Sequence, residues 1–211
     1  MSQIRKILIC FLITFVFNSV NASEVKFVEG EHYKTLTANE LSKTQELKEF
    51  FSYYCGHCFM FRSLWNELHT VYPSVDFHKV PVSFLGGPNG PLSQKAFAVA
   101  TIMGVEEDFS NELFNQIHKM RKTELSAETL GDIAAYVGAD KNKFLEQYNS
   151  FVALSHMANY NQETDKDEIQ GVPTIMVNNK YIILKAEKDQ INDLISFLLN
   201  KDGVPQLSKS E

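Results

Sequence analysis

The chain has 211 residues, of which 44% are hydrophobic, 22% charged and 12% aromatic, with a net charge of −6 and three cysteines. That apolar content excludes a disordered or collagen-like chain, and three cysteines are too few for a disulfide-stapled miniprotein. The acidic balance argues against nucleic acid as a ligand, because phosphates demand a basic face.

Met1 to Lys6 carries Arg5 and Lys6, Ile7 to Phe17 is apolar except for Thr14, and Asn18 to Ala22 is polar and small. This pattern predicts a secretory signal peptide over residues 1–22, with the mature chain starting at Ser23. The apolar run falls short of the roughly 20 residues that cross a bilayer. Removing the segment takes away Arg5, Lys6 and Cys10, leaving 18 basic against 26 acidic residues and a net −8.

Gln45 to Tyr54 is crowded with aromatics on both alternating faces after Glu49, which predicts an interior strand covered on both sides. Cys55-Gly56-His57-Cys58 follows, and then Phe59, Phe61, Leu64, Trp65, Leu68 and Val71 recur at helical spacing up to Pro73, so the cysteine pair opens a helix. Asp76 to Phe84 alternates as a second strand, placed at an edge or ended by Pro81. Gly86 to Pro91 breaks regular structure. About seventy residues of helical pattern come next. Ala96, Val99, Ala100 and Met103 form one stripe, and Phe109, Leu113, Phe114 and Ile117 another. Ser126 and Gly138 bound a third helix, and Asp140 caps a fourth that carries Phe144, Tyr148, Phe151 and Val152. Thr174 to Val177 and Lys180 to Leu184 flank Asn178-Asn179, which suits a two-residue hairpin, and Ile191, Leu194, Ile195 and Leu198 mark a last helix. The order predicts one α/β domain in two parts, residues 23–85 and 161–211, interrupted by a helical subdomain over 86–160.

Two cysteines remain in an exported chain, and a bridge between Cys55 and Cys58 would close too small a loop to stabilise much. Redox chemistry explains the pair better. A helix N-terminus offers free N–H groups and the positive end of the dipole, which favour Cys55 as thiolate, and His57 adds to that effect. Cys-x-x-Cys is also half of a zinc site. There is no second pair, however, and His32, His69, His78, His118 and His156 lack ligand spacing, so no metal is expected. Glu49 sits in an aromatic strand and Lys79 in the strand expected beside it. Glu49 therefore either reaches solvent at a strand end or pairs with Lys79.

Gly171-Val172-Pro173-Thr174 precedes the hairpin, and a proline there could simply open a strand. Taken together, Phe50 to Cys58, Val82 to Gly87, the helical insertion, Gly171-Val172-Pro173 and Val177 to Tyr181 resemble DsbA-type periplasmic thiol:disulfide oxidoreductases of the thioredoxin superfamily, over essentially the whole mature chain. The resemblance implies a thioredoxin fold with an inserted helical subdomain, Cys55 as exposed nucleophile and Cys58 as its buried partner. It implies that Val172 and a cis Pro173 bind extended substrate, and that Glu49 and Lys79 lie beneath the disulfide and help move the proton of the buried thiol. It further implies a periplasmic monomer without cofactor that oxidises unfolded exported proteins and is reoxidised by a quinone-linked inner-membrane partner of the DsbB type. Two positions depart from the pattern. Gly56 stands where a proline is usual, as in some isomerases, and Arg62 where an acid is frequent. A disulfide isomerase or reductase, a peptide-binding chaperone and a metal carrier are the alternatives to an oxidase.

Overall fold

The computed structural model describes residues 27–186 and 189–207, so the signal peptide expected over residues 1–22 lies outside the described residues. The strand expected in the interior is β2 (Glu46–Phe51), with five of its six residues buried. It runs parallel to β3 (Asp76–Pro81) and antiparallel to β4 (Thr174–Val177). It stops at Phe51 rather than Tyr54 because the chain turns there. Ser52 accepts the Cys55 N–H on its carbonyl at 3.1 Å and the Tyr54 N–H on its hydroxyl at 3.2 Å. Two further strands, β1 (Tyr33–Thr35) and β5 (Tyr181–Ile183), complete a sheet of order β1-β5-β4-β2-β3. As expected of Pro81, β3 is an edge strand that ends on that residue.

β1 is not foreshadowed by any alternation. Its three residues are held by antiparallel pairing with β5, so its strand character comes from tertiary contact. The turn between β4 and β5 does follow the sequence: Asn178 and Asn179 have φ of 51° and 55°, the left-handed region a tight hairpin needs. Asn178 is also fully buried. Its amide donates to the Leu198 and Leu199 carbonyls and its Oδ1 accepts the Glu46 N–H, so the turn is fastened to the start of β2 and to the C-terminal end of α7 (Ile191–Asn200).

Between β2 and β3 lies α1 (Gly56–Val71), whose Trp65 and Leu68 are buried. After β3 the helices are α2 (Asn89–Ile102), α3 (Glu106–His118), α4 (Ala127–Tyr136), α5 (Lys141–Tyr148) and α6 (Phe151–Lys166). The break expected over Gly86 to Pro91 is shorter, because Pro91 fits within the first turn of α2, where its missing N–H is not needed. Gly90 is required there: a Cβ would lie 2.3 Å from the Ser83 carbonyl oxygen. The single fourth helix expected after Asp140 is two helices. Asp140 caps α5, and Ser150 then accepts the Ala153 N–H at 3.2 Å and starts α6. α6 continues to Lys166, past the position at which the helical subdomain is expected to end.

Two apolar clusters flank the sheet. Leu47, Trp65, Leu68, Val177, Leu194 and Leu198 join α1 and α7 to one part of it. Phe51, Tyr53, Phe97, Phe109 and Phe114 pack the helical insertion onto the rest, and both cysteines belong to this second cluster. The inserted helices therefore help wall the cysteine pair.

Candidate active site

Cys55 is the N-cap of α1, with extended backbone (φ −93°, ψ 114°), and its sulfur accepts the Cys58 N–H at 3.1 Å. One of the otherwise unpaired donors of the first helical turn is thus aimed at the Cys55 sulfur, and the positive end of the helix dipole lies behind it. On its other side the Cys55 thiol donates to the Val172 carbonyl at 3.3 Å. The Val172–Pro173 peptide bond is cis, so the loop that precedes β4 is laid against the sulfur. Both cysteines are free thiols in the structure; Cys55, expected to be exposed, is buried at 6% exposure because the Val172–Pro173 loop lies against its sulfur, and Cys58 is 1% exposed.

The two sulfurs occupy different environments. Burial, and then the neighbouring Cys55, push the Cys58 thiol well above its ordinary range, against a backbone hydrogen bond from Ser52. Glu49 also acts on Cys58 in the raising direction, after burial and Cys55. Glu49 is 4% exposed, and burial lifts its carboxyl to about 7 while the Lys79 ammonium pulls it back down. Glu49 and Lys79 are directly opposite in the β2–β3 register. Of the two arrangements the sequence allows, the strand-end one does not occur. The two side chains share a face without closing to an ion pair among the described residues.

Gly56 and His57 are exposed at the helix start, and His57 makes no hydrogen bond among the described residues. A Cβ on Gly56 would meet nothing within 4 Å. Met60, on α1 itself two residues past Cys58, and Phe84, just after β3, add exposed apolar surface. A groove of about 460 Å³ runs along Gln170 to Thr174 and the β5 residues Ile182 and Ile183, passing the cis-proline.

Arg62 is half-buried and packs onto the helical insertion. Its guanidinium lies 4.8 Å from the Phe59 ring centroid and 5.2 Å from that of Phe114, and it donates to the Asn111 carbonyl at 3.2 Å. It therefore ties α1 to α3, a role invisible in the sequence because Phe114 and Asn111 are about fifty residues away. The stacking on the two rings taken together and the one hydrogen bond are each worth about 1 kcal/mol. Arg62→Ala is expected to lower stability in urea by about 2 kcal/mol and to leave the equilibrium with glutathione unchanged. A shifted equilibrium at unchanged stability would show Arg62 to be an electrostatic tuner instead.

His118 is a second residue that spacing does not reveal. It stacks on Phe59 at 4.9 Å between ring centroids and is hydrogen-bonded to the Tyr53 carbonyl at 2.8 Å.

Two cysteines at a helix N-terminus, faced by a cis-proline loop on a sheet of this order, define a thioredoxin-fold dithiol protein. The chain belongs to the DsbA family of thiol:disulfide oxidoreductases, since the DSBA-like thioredoxin domain matches residues 46–196. It is 30% identical over 195 residues to the thiol:disulfide interchange protein DsbA of Escherichia coli K12, covering 90% of this chain and 93% of that one. The crystal structure of Pseudomonas aeruginosa DsbA superposes with a TM-score of 0.76 at 30% identity, over 83% of this chain and 94% of the other. A Proteus mirabilis DsbA solved with a non-covalently bound peptide, PWATCDS, superposes with a TM-score of 0.72 at 25% identity, over 82% and 98% of the two chains. The α/β thioredoxin fold with a helical insertion is therefore as the sequence predicts.

Proposed function

We propose that the protein is a periplasmic disulfide oxidase, exported by its residues 1–22, that donates the Cys55–Cys58 disulfide to unfolded proteins as they arrive. The reading rests chiefly on the Cys58 N–H aimed at the Cys55 sulfur, which favours Cys55 as a leaving thiolate. A substrate thiolate attacks the Cys55 sulfur; the Cys55–Cys58 bond breaks, and Cys58 departs and takes up a proton. The substrate's second thiolate then attacks its own bonded sulfur, and Cys55 leaves with the electron pair. The substrate is oxidised by two electrons and the enzyme ends as the dithiol.

Extended substrate lies along Val172 and Pro173, a reading supported by the peptide bound to the Proteus relative. Glu49, with Lys79 beside it, supplies and accepts the Cys58 proton, and the exposed His57 favours negative charge at the helix start. The dithiol is reoxidised by a quinone-linked inner-membrane protein of the DsbB type, and the enzyme works as a monomer without cofactor or metal.

An equilibrium of Cys55 and Cys58 with glutathione tests the assignment. An oxidising pair, together with stoichiometric oxidation of a reduced unfolded protein, is expected. A strongly reducing pair, close to cytosolic thioredoxins, would overturn it and favour the reductase or isomerase reading that Gly56-His57 invites.

A further inference from the structure

β3 is one of the two edges of the sheet, and Thr101 and Glu106, which flank the turn from α2 into α3, lie beside it. Two polar cavities, of about 320 and 310 Å³, lie against this edge, one toward α2 and α6 and the other toward α1. Each has room for several water molecules. Lys79 and Glu106 line both. Glu106 is the first residue of α3, and its Oε2 lies 3.0 Å from the Thr101 hydroxyl, whose single proton is shared between this carboxylate and the Phe97 carbonyl, also at 3.0 Å. The fields of the side chains agree with this placement. Burial and then Lys79 lower the His69 imidazolium, while Glu107 and Glu106 act in the opposite direction. Glu106 and Glu49 both raise the buried Tyr53 hydroxyl, after burial itself and against its Ser110 hydrogen bond.

Lys79 therefore stands between two carboxylates, Glu49 on the inner side and Glu106 at the edge. We propose that Glu106 is a positioning residue for the redox reaction. It shares Lys79 with Glu49, and by doing so sets how strongly the Lys79 ammonium acts on the Glu49 carboxyl; Lys79, which lines both cavities, connects Glu49 to their water. The proposal rests on the oxidase reading and on Glu49 as proton acceptor for Cys58. The step concerned is closure of the disulfide from a mixed disulfide on Cys55. Cys58 loses its proton to Glu49 and attacks the Cys55 sulfur; the new S–S bond forms, the bond to the departing sulfur breaks, and the departing thiolate is protonated from solvent. Glu49 passes its proton outward along the edge.

The other charged groups around Lys79 are His69 on α1, Glu107 on α3 and, across the first cavity, Glu46, Lys48, His78 and Glu163. Lys48 is engaged with Glu163 at 2.8 Å, so that pair is largely neutral toward Lys79. Glu107 lines only the second cavity.

The test uses the mature protein loaded with glutathione on Cys55, and follows release of glutathione against pH. Glu106→Gln is expected to free Lys79 for Glu49 and to move the midpoint of the rate toward acid by about half a pH unit or more. Lys79→Met is expected to move it toward base, and Glu107→Gln to move it less than Glu106→Gln. A direct titration of the Glu49 carboxyl by carbon NMR in the reduced Glu106→Gln protein is expected to show the same acid shift, which a merely structural role would not produce. If Glu49→Gln removes the pH dependence but Glu106→Gln leaves the midpoint in place, the role of Glu106 is overturned and the proton relay through Glu49 stands. If Glu49→Gln changes nothing, the relay itself falls and the role of Glu106 falls with it. Loss of glutathione release at every pH in unsubstituted protein would overturn the oxidase reading instead.

Discussion

Cys55→Ser is expected to bring disulfide transfer down to the uncatalysed background while leaving the fold intact. Serine is close to isosteric here. Its hydroxyl can accept the Cys58 N–H and donate to the Val172 carbonyl, the two contacts the thiol makes, so the helix cap and the apposition of the cis-proline loop survive. What is lost is the sulfur that must be attacked and must leave, and no hydroxyl can take that part. Oxidation of a reduced protein by the variant should match buffer alone, while binding of an unreactive extended peptide should persist. That contrast separates the oxidase from a chaperone, for which peptide protection would be the whole activity and would survive the substitution. Residual disulfide transfer well above background would sink the assignment of Cys55. Cys58→Ser complements it. That variant keeps the Cys55 sulfur but cannot close the disulfide; given clients that already hold a disulfide, Cys55 attacks one client sulfur, the other leaves as thiolate, and the mixed disulfide should accumulate because no second thiol resolves it.

Glu49→Gln is expected to stabilise the protein at alkaline pH and to do nothing at acid pH. The buried carboxyl binds its proton up to about pH 7 in the folded protein, against an ordinary value of 4.5. Between those values the folded state holds a proton that the unfolded chain has released, so stability declines as pH rises through the window and levels off above it. A tenfold change in proton affinity corresponds to about 1.4 kcal/mol, so ionised Glu49 costs the fold about 3 kcal/mol above pH 7. Glutamine never ionises. Urea unfolding at pH 4 should give nearly equal stabilities for variant and parent, and the variant should be ahead by about 3 kcal/mol at pH 8. A difference independent of pH would mean that Glu49 is not the group that titrates. The same substitution is expected to slow glutathione release. With both outcomes, stability and function would oppose each other at this position, as they do where a buried charge is kept for its chemistry.

What the sequence discloses here divides along a physical line. β2 and α1 are readable because each buries a regular pattern: aromatics on both faces of β2, and apolar residues three and four apart along α1. The Cys55–Cys58 pair and Pro173 are readable because their chemistry depends on local spacing and backbone character. The adjacency of Glu49 and Lys79 follows once β2 and β3 are taken as neighbouring parallel strands. β1 escapes because three residues have no period, and the α5–α6 break escapes because Asn149 and Ser150 interrupt the helix without interrupting the apolar pattern. Arg62, His118 and Glu106 escape for a different reason: their roles depend on where a remote helix is packed, which no spacing along the chain encodes.

The open space at Gly56 has a consequence for how this enzyme can change. Gly56 is the first residue of α1 and is exposed, and a Cβ there would touch nothing. Its backbone is also outside the left-handed region, so proline, which suits the first helical position, could stand there without disturbing the packing. Few residues so near a reactive sulfur are free in this way. Cys55, Cys58 and the cis-proline loop are fixed by one another, whereas position 56 can vary with little effect on folding and a direct effect on the balance between thiolate and disulfide. Single substitutions at this one solvent-facing site could thus alter the chemistry of the pair while the cysteine helix and the cis-proline loop keep their packing.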